Sequence, residues 1–130
     1  MITEDYVSFE VAKLLKEKGF DGECDYLYVN GNIVRAQGFR CNWNKGETIF
    51  TDYKNECSAP TIQMAMKWLR EEKRLYINVW ADPKDFENDD FSTIYRMHVY
   101  NGTSNNGTRE FSKYEEACEN GIRYCLENLI

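Results

Sequence analysis

The sequence predicts an α+β protein: three helices packed on an antiparallel sheet of about five or six strands, in the order α-β-β(-β)-α-β-β(-β)-α. One domain spanning residues 1–130 is expected, since no linker or low-complexity tract divides the chain. Three observations lead there. Three segments carry apolar residues at helical spacing, each with start or stop signals of its own. Between them lie runs that alternate apolar with polar residues, one of them folding back on an Asn-Gly pair. Finally, the chain is 42% apolar and 15% aromatic, yet its mean hydropathy is −0.67, so many large anchors sit in a very polar remainder. At this length, roughly two-thirds of the unfolded surface is buried on folding.

The first helix is marked by Thr3 as N-cap, with Glu4 and Asp5 at the positive end of the dipole and Lys16 and Lys18 at the other. Val7, Val11, Leu14 and Leu15 form its apolar stripe, with Ala12 beside them. Gly19 supplies a left-handed residue at the end, and Phe20 folds back on Leu15. A hairpin follows, from Tyr26–Val29 through Asn30-Gly31 into Asn32–Ala36. Phe39–Trp43 and Thr48–Tyr53 are read as one or two further strands, interrupted by Asn44-Lys45-Gly46. Ser58 is the expected N-cap of the second helix, with Pro60 in its first turn. Ile62, Ala65, Met66 and Leu69 supply a stripe that Met64 and Trp68 widen. Core packing explains that face, with a partner groove as the alternative.

Leu75–Trp80 alternates, placing Leu75, Ile77 and Val79 on one face and Tyr76, Asn78 and Trp80 on the other. Thr93–Tyr100 does the same, with Tyr95, Met97 and Val99 opposing Ile94, Arg96, His98 and Tyr100. The polar stretch from Asp82 to Asp90 reads as a loop, Asn101–Thr108 as a turn, and Arg109–Phe111 as a short edge. Ser112-Lys113-Tyr114-Glu115 is a capping box for the third helix, whose face of Ala117, Cys118, Gly121, Ile122, Cys125, Leu126 and Leu129 is built mainly of small residues. The second and third helices can be laid over one another, which leaves an internal repeat open.

Composition removes several function classes. Lys and Arg number 16 against 22 Asp and Glu, for a net charge of −6. Phosphate neutralisation needs a basic face, so this balance argues against nucleic-acid binding. No apolar run reaches the roughly eighteen residues a membrane span requires. The N-terminal segment carries acids where a signal peptide carries bases, so a cytoplasmic protein is expected. The five cysteines, Cys24, Cys41, Cys57, Cys118 and Cys125, are odd in number and form no Cys-x-x-Cys pair. They read as small core residues rather than disulfide or zinc ligands. The acidic loop fails as a calcium site: counting from Asp85, position six is Asp90 where glycine is required, and position twelve is Arg96 where glutamate is required. His98, the only histidine, has no nucleophile beside it in sequence, and every early glycine punctuates secondary structure. No catalytic residue, metal ligand or cofactor is assigned.

Against this background the chain resembles a known group. Ile2–Phe20, the segment Ser58-Ala59-Pro60-Thr61-Ile62-Gln63-Met64-Ala65-Met66-Lys67-Trp68-Leu69-Arg70-Glu71, and the pair Tyr114–Ala117 and Tyr124–Ile130 are similar to a family of small uncharacterised proteins from Bacteroides and related gut bacteria, found also in their phages and mobile elements. The resemblance covers the helices, about half the chain, and departs at Gly121, where alanine is expected. It implies an accessory protein of a phage or mobile element and transfers no activity.

The function expected is a non-catalytic protein-interaction module. Its partner is an unidentified protein, with a homodimer as one form of it. The candidate surface is Tyr76 and Trp80 on one strand and Arg96, His98 and Tyr100 on the next, flanked by Asp85, Glu87, Asp89 and Asp90 of the acidic loop. Alternation alone does not say which strand face is buried, and a covered second layer is the competing reading. The alternative functions are a weak RNA or DNA binder, an acidic mimic of nucleic acid, and an enzyme whose site is unrecognised.

Overall fold

In the computed structural model, which describes residues 2–36, 40–45, 56–83, 93–102 and 105–130, the first helix, α1 (Phe9–Glu17), starts at Ser8 and not at Thr3. The backbone ahead of it is committed elsewhere. Val7 donates to the Pro60 carbonyl at 3.1 Å and Ile62 donates to Asp5 at 2.9 Å, so residues 5–7 run as an extended segment against residues 60–62. Ser8, in extended conformation, then accepts the Val11 N–H at 3.3 Å, while its own N–H donates to the Glu119 carboxylate. Val7 is fully buried from outside the helix; Val11, Ala12 and Leu15 form the buried stripe. The other end follows expectation. Gly19 sits at φ +92°, and the bonds Phe20 N–H to Leu15 O (2.9 Å) and Gly19 N–H to Lys16 O (3.2 Å) complete a Schellman ending.

The Asn-Gly hairpin forms in the expected register. Strand β1 (Tyr26–Val29) pairs antiparallel with β2 (Asn32–Arg35), and Asn30 (φ 51°) and Gly31 (φ 83°) supply the two left-handed residues of a type I′ turn. The other edge of β1 takes β3 (Glu56–Ser58), giving the order β2-β1-β3. Of the strand expected over Phe39–Trp43, Cys41 makes a single bridge to Cys24 and Trp43 opens one 3₁₀ turn, Trp43–Lys45. Phe39 itself and the expected strand Thr48–Tyr53 lie outside the described residues. Ser58 does not cap a helix. Its hydroxyl accepts the Trp43 N–H at 3.0 Å and its N–H donates to Asn44 Oδ1 at 2.9 Å, so it belongs to the strand. Helix α2 (Ile62–Glu72) is capped instead by Thr61, whose hydroxyl accepts the Met64 N–H at 3.1 Å, and Pro60 precedes the cap.

The second sheet is a meander of β4 (Tyr76–Pro83), β5 (Thr93–Tyr100) and β6 (Asn105–Phe111), in the order β4-β5-β6. Strand β6 begins well before Arg109, because the ladder to β5 resumes beyond a bulge and pairs Val99 with Asn106 and Tyr100 with Asn105. Among the described residues, six strands thus divide into two three-stranded antiparallel sheets of an α+β fold. Helix α3 (Tyr114–Asn128) lies on the second sheet and meets both α1 and α2, while α1 packs on β3. One cluster of buried residues therefore runs from Leu27 in the first sheet through the helices to Met97 and Val99 in the second. The central strand is the first of its sheet in one half and the second in the other, so the halves do not share a topology.

No capping box opens α3. The helix starts one residue later than the box requires, Lys113 occupies the cap without a side-chain bond, and the Ser112 hydroxyl donates instead to Glu116 Oε2 at 3.4 Å. The small-residue face does what its size permits. A Cβ at Gly121 would lie 2.6 Å from Ile77 Cγ2, so glycine here lets α3 approach β4 more closely than alanine would. Gly121→Ala gains about 1 kcal/mol of helix propensity and incurs an overpacking penalty of about 1–3 kcal/mol. Net destabilisation is expected, and Ile77→Ala should relieve it. A double-mutant cycle in urea checks this: strictly additive effects would show that the contact does not limit the approach.

Candidate functional site

The pleat of the second sheet sorts its side chains onto two faces. Ile77, Val79, Tyr95, Met97 and Val99 turn toward the core, with the Tyr95 ring meeting Tyr114 of α3 edge-on at 6.0 Å. Tyr76, Asn78, Trp80 and Asp82 of β4 turn the other way, together with Ile94, Arg96, His98 and Tyr100 of β5. The helices that contact this sheet lie against the first of these faces. Tyr76, Trp80 and Tyr100 are 37%, 39% and 40% exposed. The strand face left open by the alternation is the one that carries the expected partner surface.

Antiparallel register builds that face into a ladder. Tyr76 stands opposite Tyr100, with ring centroids 6.2 Å apart. Asn78 stands opposite His98, their Nδ2 and Nε2 atoms 3.1 Å apart, and the imidazole also meets the Trp80 indole edge-on at 5.3 Å. Trp80 stands opposite Arg96, whose guanidinium is shared between strands on either side: Nε donates to Asp82 Oδ2 at 2.7 Å and Nη1 to Glu110 Oε1 at 2.8 Å. The hydrogen bond that Arg96 donates to Asp82, with the Glu110 carboxylate nearby, raises the Arg96 pKa. Exposed pairs of this kind contribute little to stability. Their effect is to hold Arg96 between Asp82 of β4 and Glu110 of β6 and to neutralise it. Cross-strand ring and amide contacts likewise hold the neighbouring side chains in one orientation, which lowers the entropy lost when a partner lands on them.

Five of the nine expected surface residues therefore come together: Tyr76, Trp80, Arg96, His98 and Tyr100. Asp85, Glu87, Asp89 and Asp90 lie outside the described residues. Three further members were not singled out in sequence. Asn78 shares the alternation of its strand and was legible from it. Asp82 and Glu110 join only through their bonds to Arg96, and Glu110 arrives by the register of β6, which no local pattern announces.

The cysteines belong to the interior. Cys24, Cys57, Cys118 and Cys125 are buried and Cys41 is half-buried. Burial pushes the Cys24 and Cys125 thiols up to about 12 and Cys57 up to about 11, and raises Cys118 as well. Thiolate, the reactive form, is correspondingly scarce in these four. No helix among the described residues is long and apolar enough to cross a membrane. Compared with protein-family models, with curated proteins and with solved structures, the chain matches none.

Proposed function

We propose that the chain is a non-catalytic protein-interaction module that engages its partner through the open face of β4 and β5. The observation that carries the reading is the exposure of Tyr76, Trp80 and Tyr100 on the face turned away from the described helices, pre-ordered by His98, Asn78 and Arg96. Large rings held rigidly at a surface are the side chains that dominate binding energy at protein interfaces. Arg96 is already matched by two carboxylates, so this face offers its cation to no phosphate, which supports a protein over a nucleic acid as partner. The partner expected has an apolar patch in basic surroundings, complementary to a chain of charge −6. The setting that the family resemblance implies, an accessory protein of a phage or mobile element of Bacteroides and related bacteria, and a cytoplasmic location are part of the same proposal.

The test uses Trp80→Ser/Tyr100→Ser, in which both replaced side chains are substantially exposed, so the fold should survive. Wild type is expected to retain a protein from lysate of such a host that the double variant loses, with capture weakening as salt rises. Loss of self-association in the variant, read by sedimentation, would identify the partner as a second copy. Retention of an identical set of proteins by both forms would overturn the reading. Retardation of short RNA by wild type alone would replace it with the nucleic-acid alternative.

A further inference from the structure

The opposite face of the same sheet carries a different feature. Between β5 and β6 the ladder pairs Met97 with Arg109 and then Val99 with Asn106, so Gly107 and Thr108 stand against the single residue His98. Such a bulge interrupts the pairing and bends the strand. Beside it lies a cleft of about 280 Å³ lined by Met97, Val99, Gly107, Thr108, Arg109 and Tyr124. Glycine leaves the wall open: a Cβ at Gly107 would meet nothing within 4 Å.

Arg109 gives the cleft its chemistry. Its guanidinium carbon lies 5.3 Å from the centroid of the Tyr124 ring, so the cation is held over an aromatic face of α3. The acids that surround it in sequence and space are spent on other bases. Glu110, the next residue, points to the far side of the sheet and binds Arg96 at 2.8 Å. Glu127, in the adjoining wall of α3, binds Arg123 at 2.8 Å. Among the described residues Arg109 has no carboxylate within 4 Å, although the chain as a whole is acidic.

We infer that this bulge cleft is a binding site for a small carboxylate with an apolar body. The guanidinium receives the carboxylate through paired N–H donors, the geometry in which arginine is most selective. The Thr108 hydroxyl adds a donor at the same rim, and Met97, Val99 and the Tyr124 ring accept the apolar part. A lone arginine with one hydroxyl suits a singly charged carboxylate better than a phosphate dianion, which calls for more donors. The site stands on the helix side of the sheet and is independent of the aromatic face proposed above.

Hexanoate is a suitable probe, with hexan-1-ol as its uncharged counterpart. In titrations followed by amide NMR, hexanoate is expected to shift Gly107, Thr108 and Arg109 saturably. Hexan-1-ol should bind on the order of tenfold more weakly, the worth of one charge-assisted hydrogen bond. Arg109→Gln should lose a similar factor for hexanoate while leaving the spectrum of β4 and α1 unchanged. Gly107→Val, at a position whose backbone lies outside the left-handed region and whose Cβ meets open space, should block the cleft with the guanidinium still in place. Absence of saturable shifts, equal affinity for the alcohol, or undiminished hexanoate binding by Arg109→Gln would each overturn the assignment.

Discussion

Phe20→Ala is expected to lower the free energy of unfolding by about 3–5 kcal/mol, the cost of an aromatic ring plus the cavity it leaves. The ring is 2% exposed, meets Trp68 of α2 edge-on at 5.5 Å, and lies so close to Gly22 that a Cβ there would fall 2.6 Å from its Cζ. Its backbone is fixed as well, donating to Leu15 at 2.9 Å and accepting from Asn44 at 3.0 Å, so the surrounding chain has little freedom to collapse into the void. Natural domains hold only about 5–15 kcal/mol in all, so the variant should approach the edge of folding. Urea midpoints at unchanged slope measure the loss. Ile33→Ala, on the 43% exposed side chain of β2, is the control and should stay within about 0.5 kcal/mol. A loss for Phe20→Ala no larger than that of the control would show that the ring does not anchor the junction of α1 and α2.

The features that the sequence disclosed correctly are those decided within a few residues. The I′ turn at Asn30-Gly31, the left-handed Gly19 with Phe20 behind it, and the alternation of Thr93–Tyr100 are each set by local backbone preference and pleat, and each stands where the pattern put it. Helix starts behaved differently. Thr3, Ser58 and Ser112 all have the right chemistry for a cap, and none is one. Residues 5–7 are drawn into pairing with residues 60–62, Ser58 is claimed by Trp43 and Asn44, and Ser112 stands one position too early. Capping signals compete with other hydrogen bonds: long-range partners win at residues 5–7 and at Ser58, and a bond within the first turn wins at Ser112.

The site shows the same division. Alternation separated Tyr76 and Trp80 from Ile77 and Val79, yet it could not say which set was wet. The information lay in the third helix, whose Gly121 comes down on Ile77 and whose small Ala117 and Cys118 are buried beside it in sequence. Reading helix and strand together would have chosen the face. Arg96 was legible as an exposed cation and illegible as a neutralised one, because Glu110 reaches it through a bulged register. The same bulge makes the Arg109 cleft, and nothing in the Asn/Gly/Thr-rich run from Asn101 to Thr108 distinguishes a bulged strand from the turn it was read to be.

Asn44→Ala is expected to cost about 2–4 kcal/mol, more than its half-buried position would suggest, because one amide serves two distant strands of chain. Its Oδ1 accepts the Ser58 N–H at 2.9 Å and its Nδ2 donates to the Phe20 carbonyl at 3.0 Å, while its own N–H is held by Asn42 Oδ1 at 3.0 Å. Ser58 is fully buried, so removing the amide strands a backbone donor with no route to water. Asn44→Asp separates the two bonds. The carboxylate still accepts from Ser58 but faces the Phe20 carbonyl with no proton to donate. Protonation would restore that donor, so the folded variant should hold its carboxyl pKa above the unfolded value of about 3.9. A raised folded pKa means stability present below the unfolded pKa and lost as pH rises through the folded one. The aspartate variant should therefore come closest to wild type in acid and fall toward the alanine variant at neutral pH, which urea midpoints at several pH values would show. A pH-independent deficit, or an alanine variant within about 0.5 kcal/mol of wild type, would mean that this amide does not couple β3 to the end of α1.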